Sequence, residues 1–383
     1  MHRLNPTIHL TFLLVLTCLV RVLASIFAND IIDVRNYQQV AEVIDRFGVF
    51  GLYQYTPNLY PYPPLWSGFE VAAYWLARHN ILSFSLAIRL PIIAADAGIV
   101  AVIWQWVHRH NGSSRHAMRA AMIYALNPVS IIVSCWHGQF DALPLFWAAL
   151  AMMCTAWQWQ AIALSVGIAL KSFPVLLVPA FLWHLQPLRR QVQFVMLAVV
   201  PVLVLLAPFF VYDTSAVVRE LFGYRGHALL GIMVPARTVY VPLVGERFPV
   251  ETTRQLISLS AYGFLLLYAL IVWYAKRRPI SVPMHATLIF LLFYVVYAGI
   301  APQYLLWVLP FMIMAARPGA VLAYSAVSTL ALLGFYLYAV PDIFPFALAI
   351  SPRLAQVAYG LFGSLWWLIC VGLLVWLGND QPE

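Results

Sequence analysis

Charge is scarce in this chain. Of its 383 residues, 9% are Asp, Glu, Lys or Arg, while 63% are hydrophobic. A soluble domain carries roughly 25% charged residues, so too little polar surface is available here to keep a globule dissolved. Only four cysteines occur, Cys18, Cys135, Cys154 and Cys370. They lie in apolar stretches without metal-type spacing, which excludes a disulfide framework or a zinc cluster. No G-x-x-x-x-G-K-[ST], H-E-x-x-H, G-x-S-x-G or C-x-x-C element is present, so P-loop, zincin, serine-hydrolase and dithiol chemistry find no support. Internal repeats and low-complexity tracts are absent, and no polar stretch is long enough to stand as a soluble domain.

Long apolar runs fill most of the chain, and the mean hydropathy is +0.84. Runs of about 20 apolar residues match the thickness of a bilayer, and only helices satisfy their own backbone there segment by segment. Spans are expected at about 7–27, 83–107, 117–135, 141–157, 191–212, 255–275, 284–300, 302–316, 319–340 and 354–378. The first run could serve as a signal peptide cleaved near Ala28. Its length and the interrupting Arg21 favour a retained helix. The formal net charge of +8 follows from Lys and Arg in short loops, as the positive-inside bias predicts, and not from a nucleic-acid groove.

The stretch 159–186 breaks this topology if it is one helix, because Arg189, Arg190 and Lys276 to Arg278 would then face outward. A split near Lys171, with a turn at Ser172-Phe173-Pro174 and a second half ending near His184, returns every basic loop to the cytoplasmic side. The expected fold is therefore all-α, a single membrane domain over 1–383 with about 12 segments, some short or broken, and both termini cytoplasmic. Two long loops fall outside, at 28–82 and 213–254. In the first, Val34, Tyr37, Val40, Ala41 and Ile44 repeat at helical spacing, which predicts an amphipathic helix lying at the interface.

Five clusters could carry chemistry. Asp30 and Asp33 lie where the first span leaves the membrane. Paired carboxylates can act as a general base or hold a divalent cation, or they can simply cap a helix. His137, Gln139 and Asp141 crowd one outer turn, as a polar site or as a turn with a capping Asp. Lys171 sits deep in apolar sequence, where an ammonium suits a phosphate but could also form a structural ion pair. Arg89 and Asp96, seven residues apart on one helix face, could pair with other helices or with Arg21, and Arg89 could reach a phosphate. Gln303, Tyr304 and Trp307 could line a sugar pocket or an aromatic membrane belt. The second loop adds Arg219, Glu220, Arg225, His227 and Arg237 as possible headgroup contacts.

Taken in order, these elements resemble the GT-C superfamily of glycosyltransferases. They are Asp33, Tyr62-Pro-Pro-Leu65, Arg89 with Asp96, His137-x-Gln139-Phe140, Lys171 and Ala207-Pro-Phe-Phe210. The pattern is similar to the dolichyl-phosphate-glucose glucosyltransferases, although Asp141 stands where those have Asn and Gln303-Tyr304 replaces a late His-Glu-Lys. The Pro302-Gln-Tyr-Leu-Leu-Trp307 run and the Asp33…Tyr37 spacing look more like polyprenyl-phosphate-mannose enzymes. The resemblance covers residues 1 to about 315.

It implies inverting transfer of a hexose, mannose or glucose, from a polyprenyl-phosphate carrier. The acceptor would be a lipid-linked glycan or glycolipid at the non-cytoplasmic face of an inner or plasma membrane. Asp33 would be the base, with Asp30 its fallback. His137, Gln139 and Asp141 would orient base or acceptor. Lys171, Arg89, Arg225 and Arg237 would meet the phosphate, and Tyr62, Gln303, Tyr304 and Trp307 the sugar. No cofactor is implied, and a divalent cation at the carboxylates stays open as an alternative. Membrane lipid is a partner and nucleic acid is not. The rival from another class is a transporter or flippase of lipid-linked sugars, which shares broken helices and intramembrane charge but is expected to show an inverted repeat.

Overall fold

The computed structural model describes residues 6–183, 185–278, 280–343 and 350–379. Among them every regular element is helical. Six helices are long and apolar enough to cross a membrane, or seven if the bent pair Ser114–Ala125 and Pro128–His137 counts as one span. The chain is a multi-pass membrane protein. Its other apolar helices are shorter, such as Ala142–Met153 and Val282–Val296.

Contacts divide the chain into two compact units, Met1–Leu126 with Ser130–Tyr224, and Asn127–Val129 with Arg225–Glu383. The boundary after Tyr224 falls inside the loop 213–254.

In the first unit, α1 (Pro6–Ile26) leads into the loop helices α2 (Ile32–Phe47) and α3 (Leu65–Arg78). Then come α4 (Phe84–Asn111), α5 (Ser114–Ala125), α6 (Ala142–Met153), α7 (Trp157–Leu170) and α8 (Leu188–Val217). The α4 helix packs against α1, α3, α5 and α6, and so forms the spine of the unit. Its Asp96 is fully buried and pairs with the equally buried Arg21 of α1 at 2.8 Å. Tyr124 of α5 donates to the other Asp96 oxygen at 2.7 Å, and Arg21 also donates to Ala125 O and Ser130 Oγ. A charge taken out of water is tolerable only when paired and saturated with hydrogen bonds, and this pair is both.

The α2 helix buries Val34, Tyr37, Val40, Ala41 and Ile44, the face picked out by its periodicity. That face packs against α3, so protein covers the stripe that the sequence assigns to the membrane interface. Gly48, at φ 80, ends the helix, and its amide donates back to Ile44 O at 2.9 Å. The break at Lys171 is present: α7 stops at Leu170, Lys171 is extended, and a 3₁₀ turn (Phe173–Leu177) follows. His184, read as the end of the second half, lies outside the described residues. The span expected to end at 212 continues as helix to Phe222 across a kink at Asp213, φ −155 and ψ 90. Asp213 Oδ1 accepts from Ser215 Oγ and Ala216 N, so its carboxylate caps a new helical start where the sequence placed a loop.

In the second unit, α9 (Met233–Val244) and α10 (Val250–Lys276) precede α11 (Val282–Val296), α12 (Leu309–Ala315), α13 (Pro318–Ala339) and α14 (Pro352–Asn379). α14 packs on α13, α11 and α9. Only 11% of the most apolar window of α10 is buried, which leaves a 27-residue hydrophobic rod facing outward. At 1.5 Å per residue it is about 40 Å long, enough to cross a bilayer.

Candidate functional site

The first unit gathers polar groups from four segments. Asp33 lies in the first turn of α2, just after the chain leaves α1. Opposite it, the chain runs through one turn of π-helix (Ile132–His137), reverses at Gly138 and enters α6 after Asp141. Gly138 has φ 78, and a Cβ there would lie 2.8 Å from Val34 Cγ2. Only glycine both takes this left-handed bend and lets α2 approach so closely.

Across that contact, His137 Nε2 lies 2.5 Å from Asp33 Oδ2. The His137 side chain is buried at 6% exposure while that of Asp33 is 29% exposed, so the carboxylate is the end open to a substrate. Gln139 completes the setting. Tyr37 Oη donates to Gln139 Oε1 at 3.1 Å, and the Gln139 amide lies beside the Asp33 carboxylate and favours its ionised form. Burial alone would raise the Asp33 carboxyl. The hydrogen bond and charge of His137, the Gln139 amide and the nearby Lys171 outweigh it and hold the group below the ordinary value of 3.8. Asp33 is thus an ionised, oriented acceptor of protons at neutral pH.

Lys171 arrives from the end of α7. Its ammonium donates to Asp141 Oδ2 at 2.8 Å and lies 5.0 Å from the Tyr62 ring and 4.8 Å from the Phe140 ring. Both members of this pair are buried. Asp141 occupies the N-cap position of α6 but makes no side-chain cap, because its carboxylate turns to Lys171. Phe140 stacks face to face on Trp66, with centroids 4.3 Å apart, and Tyr62 meets it edge-on. These rings make an apolar wall beside the charges. Burial raises the phenols of Tyr37 and Tyr62 well above 10, so both stay protonated donors.

Asp30 takes a different part. Its Oδ1 accepts from Ser85 Oγ at 2.5 Å and from Arg89 Nη1 at 3.1 Å. Asp30 is thus committed to an ion pair with Arg89, although its side chain, 41% exposed, is more open than that of Asp33, which faces His137 instead. Among the described residues, no group of three or more His, Cys, Asp or Glu side chains could hold a metal ion.

Asp30, Asp33, Tyr62, Arg89, His137, Gln139, Asp141 and Lys171 therefore meet in the first unit. Gln303, Tyr304, Trp307, Arg225 and Arg237 belong to the second. There, Gln303 and Tyr304 are buried on the turn Pro302–Leu306, and the Tyr304 and Trp307 rings lie 4.1 Å apart, packed with Phe293. Neither ring is exposed as a membrane belt requires. Arg237 Nη1 donates to Ala228 O, and Arg225 O accepts from Tyr297.

Sequence reasoning missed Ser85, Trp66 and Glu70. Glu70 of α3 is fully buried, and neither carboxyl oxygen has a hydrogen-bond partner. Burial pushes it well above 4.5; the Trp66 indole beside it favours the ionised form but lacks hydrogen-bond geometry. A lone acid in the apolar run Leu65–Leu76 was the available signal. No protein-family model matches the chain, and no curated protein matches it.

Proposed function

We propose that this chain is an inverting, polyprenyl-phosphate-dependent hexosyltransferase of GT-C type, with about twelve membrane segments and its site on the non-cytoplasmic face. The observation that carries the proposal is the Asp33–His137 pair at 2.5 Å, with the carboxylate its open end, beside the buried Lys171.

In this chemistry Asp33 takes the proton of an acceptor hydroxyl as the hydroxyl oxygen attacks the anomeric carbon. The new C–O bond forms as the bond from that carbon to the lipid phosphate breaks, with inversion. The phosphate leaves as an anion and needs no proton, so one carboxylate suffices where glycoside hydrolysis needs two. A carboxylate held below its ordinary pKa is a weak base in the ground state. It becomes competent late, when the attacking hydroxyl has gained acidity from the oxocarbenium-like centre. His137 fixes the lone-pair direction of Asp33. The Lys171 ammonium, shared with Asp141, supplies positive charge for the leaving phosphate, and the partly exposed Tyr62 offers a ring to the sugar.

The test is Asp33→Asn in purified protein, assayed for transfer from polyprenyl-phosphate-linked mannose and glucose to a panel of glycolipid acceptors. Loss of the base should lower turnover about 10²–10⁴-fold. Full activity in the variant removes Asp33 from the mechanism. If the wild type transfers nothing from any lipid-linked donor, the transferase proposal fails in favour of transport.

A further inference from the structure

We infer that Arg89 is a positioning residue that sets the Asp33–His137 pair, and that its charge does not go to the leaving phosphate. Its side chain has 0% exposure. All three of its nitrogens have protein acceptors. Nε donates to Cys135 O at 2.8 Å, and Nη2 to Trp136 O at 3.4 Å. Nη1 donates to Asp30 Oδ1, Ser85 O and Ser85 Oγ.

The identity of those acceptors gives the residue its role. Cys135 and Trp136 directly precede His137, and the last carbonyls of a helical turn lack partners within it. Arg89 supplies them. Asp30 stands two residues before the helix that carries Asp33, and Arg89 anchors its carboxylate. One guanidinium thus ties down the chain on both sides of the dyad. Gly138 packs against the same group, since a Cβ there would lie 3.3 Å from both Arg89 Nε and Nη2. A phosphate could reach the fully buried Arg89 only by displacing Asp30 or the carbonyls, and loss of the Cys135 contact would leave a buried acceptor unpaired. The planar, forked guanidinium serves three directions at once, which a lysine ammonium cannot reproduce.

The kinetic part of the test rests on the transferase proposal; the spectroscopic part does not. Arg89→Lys and Ser85→Ala are prepared in the full-length protein in nanodiscs. Ser85→Ala removes a single bridging hydroxyl and serves if Arg89→Lys does not fold. Four quantities are read: kcat and KM with a polyprenyl-phosphate sugar, Kd for farnesyl phosphate, and the His137 ring resonance against pH. His137→Gln assigns that resonance.

For Arg89→Lys, kcat should fall about 10- to 100-fold, the size usual when an orienting partner is lost. KM and the farnesyl phosphate Kd should stay within about twofold, since uniform binding is untouched. The His137 titration should move in both variants. A farnesyl phosphate affinity that collapses while the His137 titration stays at its wild-type position overturns the inference and makes Arg89 a phosphate ligand. If the wild type transfers nothing, the functional proposal has failed, and the His137 titration alone decides: a shift supports positioning, and an unchanged curve overturns it.

Discussion

The Lys171–Asp141 pair allows two roles of one lysine to be separated. The side chains are 7% and 0% exposed, and the ammonium faces two aromatic rings within about 5 Å. Lys171→Met leaves the Asp141 carboxylate buried without its cation, and removal of one partner of such a pair costs about 3–5 kcal/mol. Lost cation–π attraction, about 2 kcal/mol in a desolvated setting, falls within that sum. Replacing both charges with apolar groups of similar volume is near neutral, because neither is then stranded. Asp141 makes no side-chain cap, so its removal forfeits none. Lys171→Met/Asp141→Leu should therefore lie within about 1 kcal/mol of the wild type in SDS-titrated unfolding from mixed micelles. Donor binding should not recover with stability. A charge-assisted hydrogen bond to phosphate contributes about 1.5–3 kcal/mol, so the double variant should bind the lipid donor roughly 10- to 100-fold more weakly. A double variant as unstable as Lys171→Met refutes the coupling. A stable double variant with unchanged donor affinity makes Lys171 purely structural.

The Asp33 carboxyl is depressed below 3.8 in the folded chain. Its contribution to stability is therefore complete above that value and lost as pH falls through the depressed folded value; acid unfolding of Asp33→Asn should lack that component. Glu70 has the opposite sign. Its folded value is raised well above 4.5, so stability is highest below 4.5 and declines as pH rises toward the folded value. Glu70→Gln should be more stable than the wild type at neutral pH and show a flatter profile, and equal stability at pH 7 would contradict the buried neutral acid. Arg21→Met strands Asp96 and should cost about 3–5 kcal/mol, lowering folded yield while KM for the donor stays at the wild-type value in the surviving fraction.

What could be read from the residue order alone follows from how each feature is encoded. The buried face of α2 was legible because Val34, Tyr37, Val40, Ala41 and Ile44 keep a helical period, and a period survives whatever covers it. The covering element was not, since the Tyr-Pro-Pro stretch that ends just before α3 reads as loop. The break at Lys171 was legible from charge parity between distant loops, a global constraint that a local pattern would not reveal. Lone charges in apolar spans announce that they need partners without saying which. Arg21 and Asp96 found each other, whereas Arg89 could have met a phosphate and instead met Asp30 and two carbonyls. The same ambiguity separates Asp30 from Asp33. Both carboxylates stand three residues apart in one polar run, and both look like bases. Only the start of α2 distinguishes them: Asp33 falls on its first turn, turned toward His137, while Asp30 precedes the helix and is taken by Ser85 and Arg89. A shift of one residue in that helix start would rotate Asp33 by about 100° away from His137. The position of the base is therefore a property of helix register, and the chain just before that helix is anchored by Arg89 on the Asp30 carboxylate and by Arg35 on the Asp30 carbonyl.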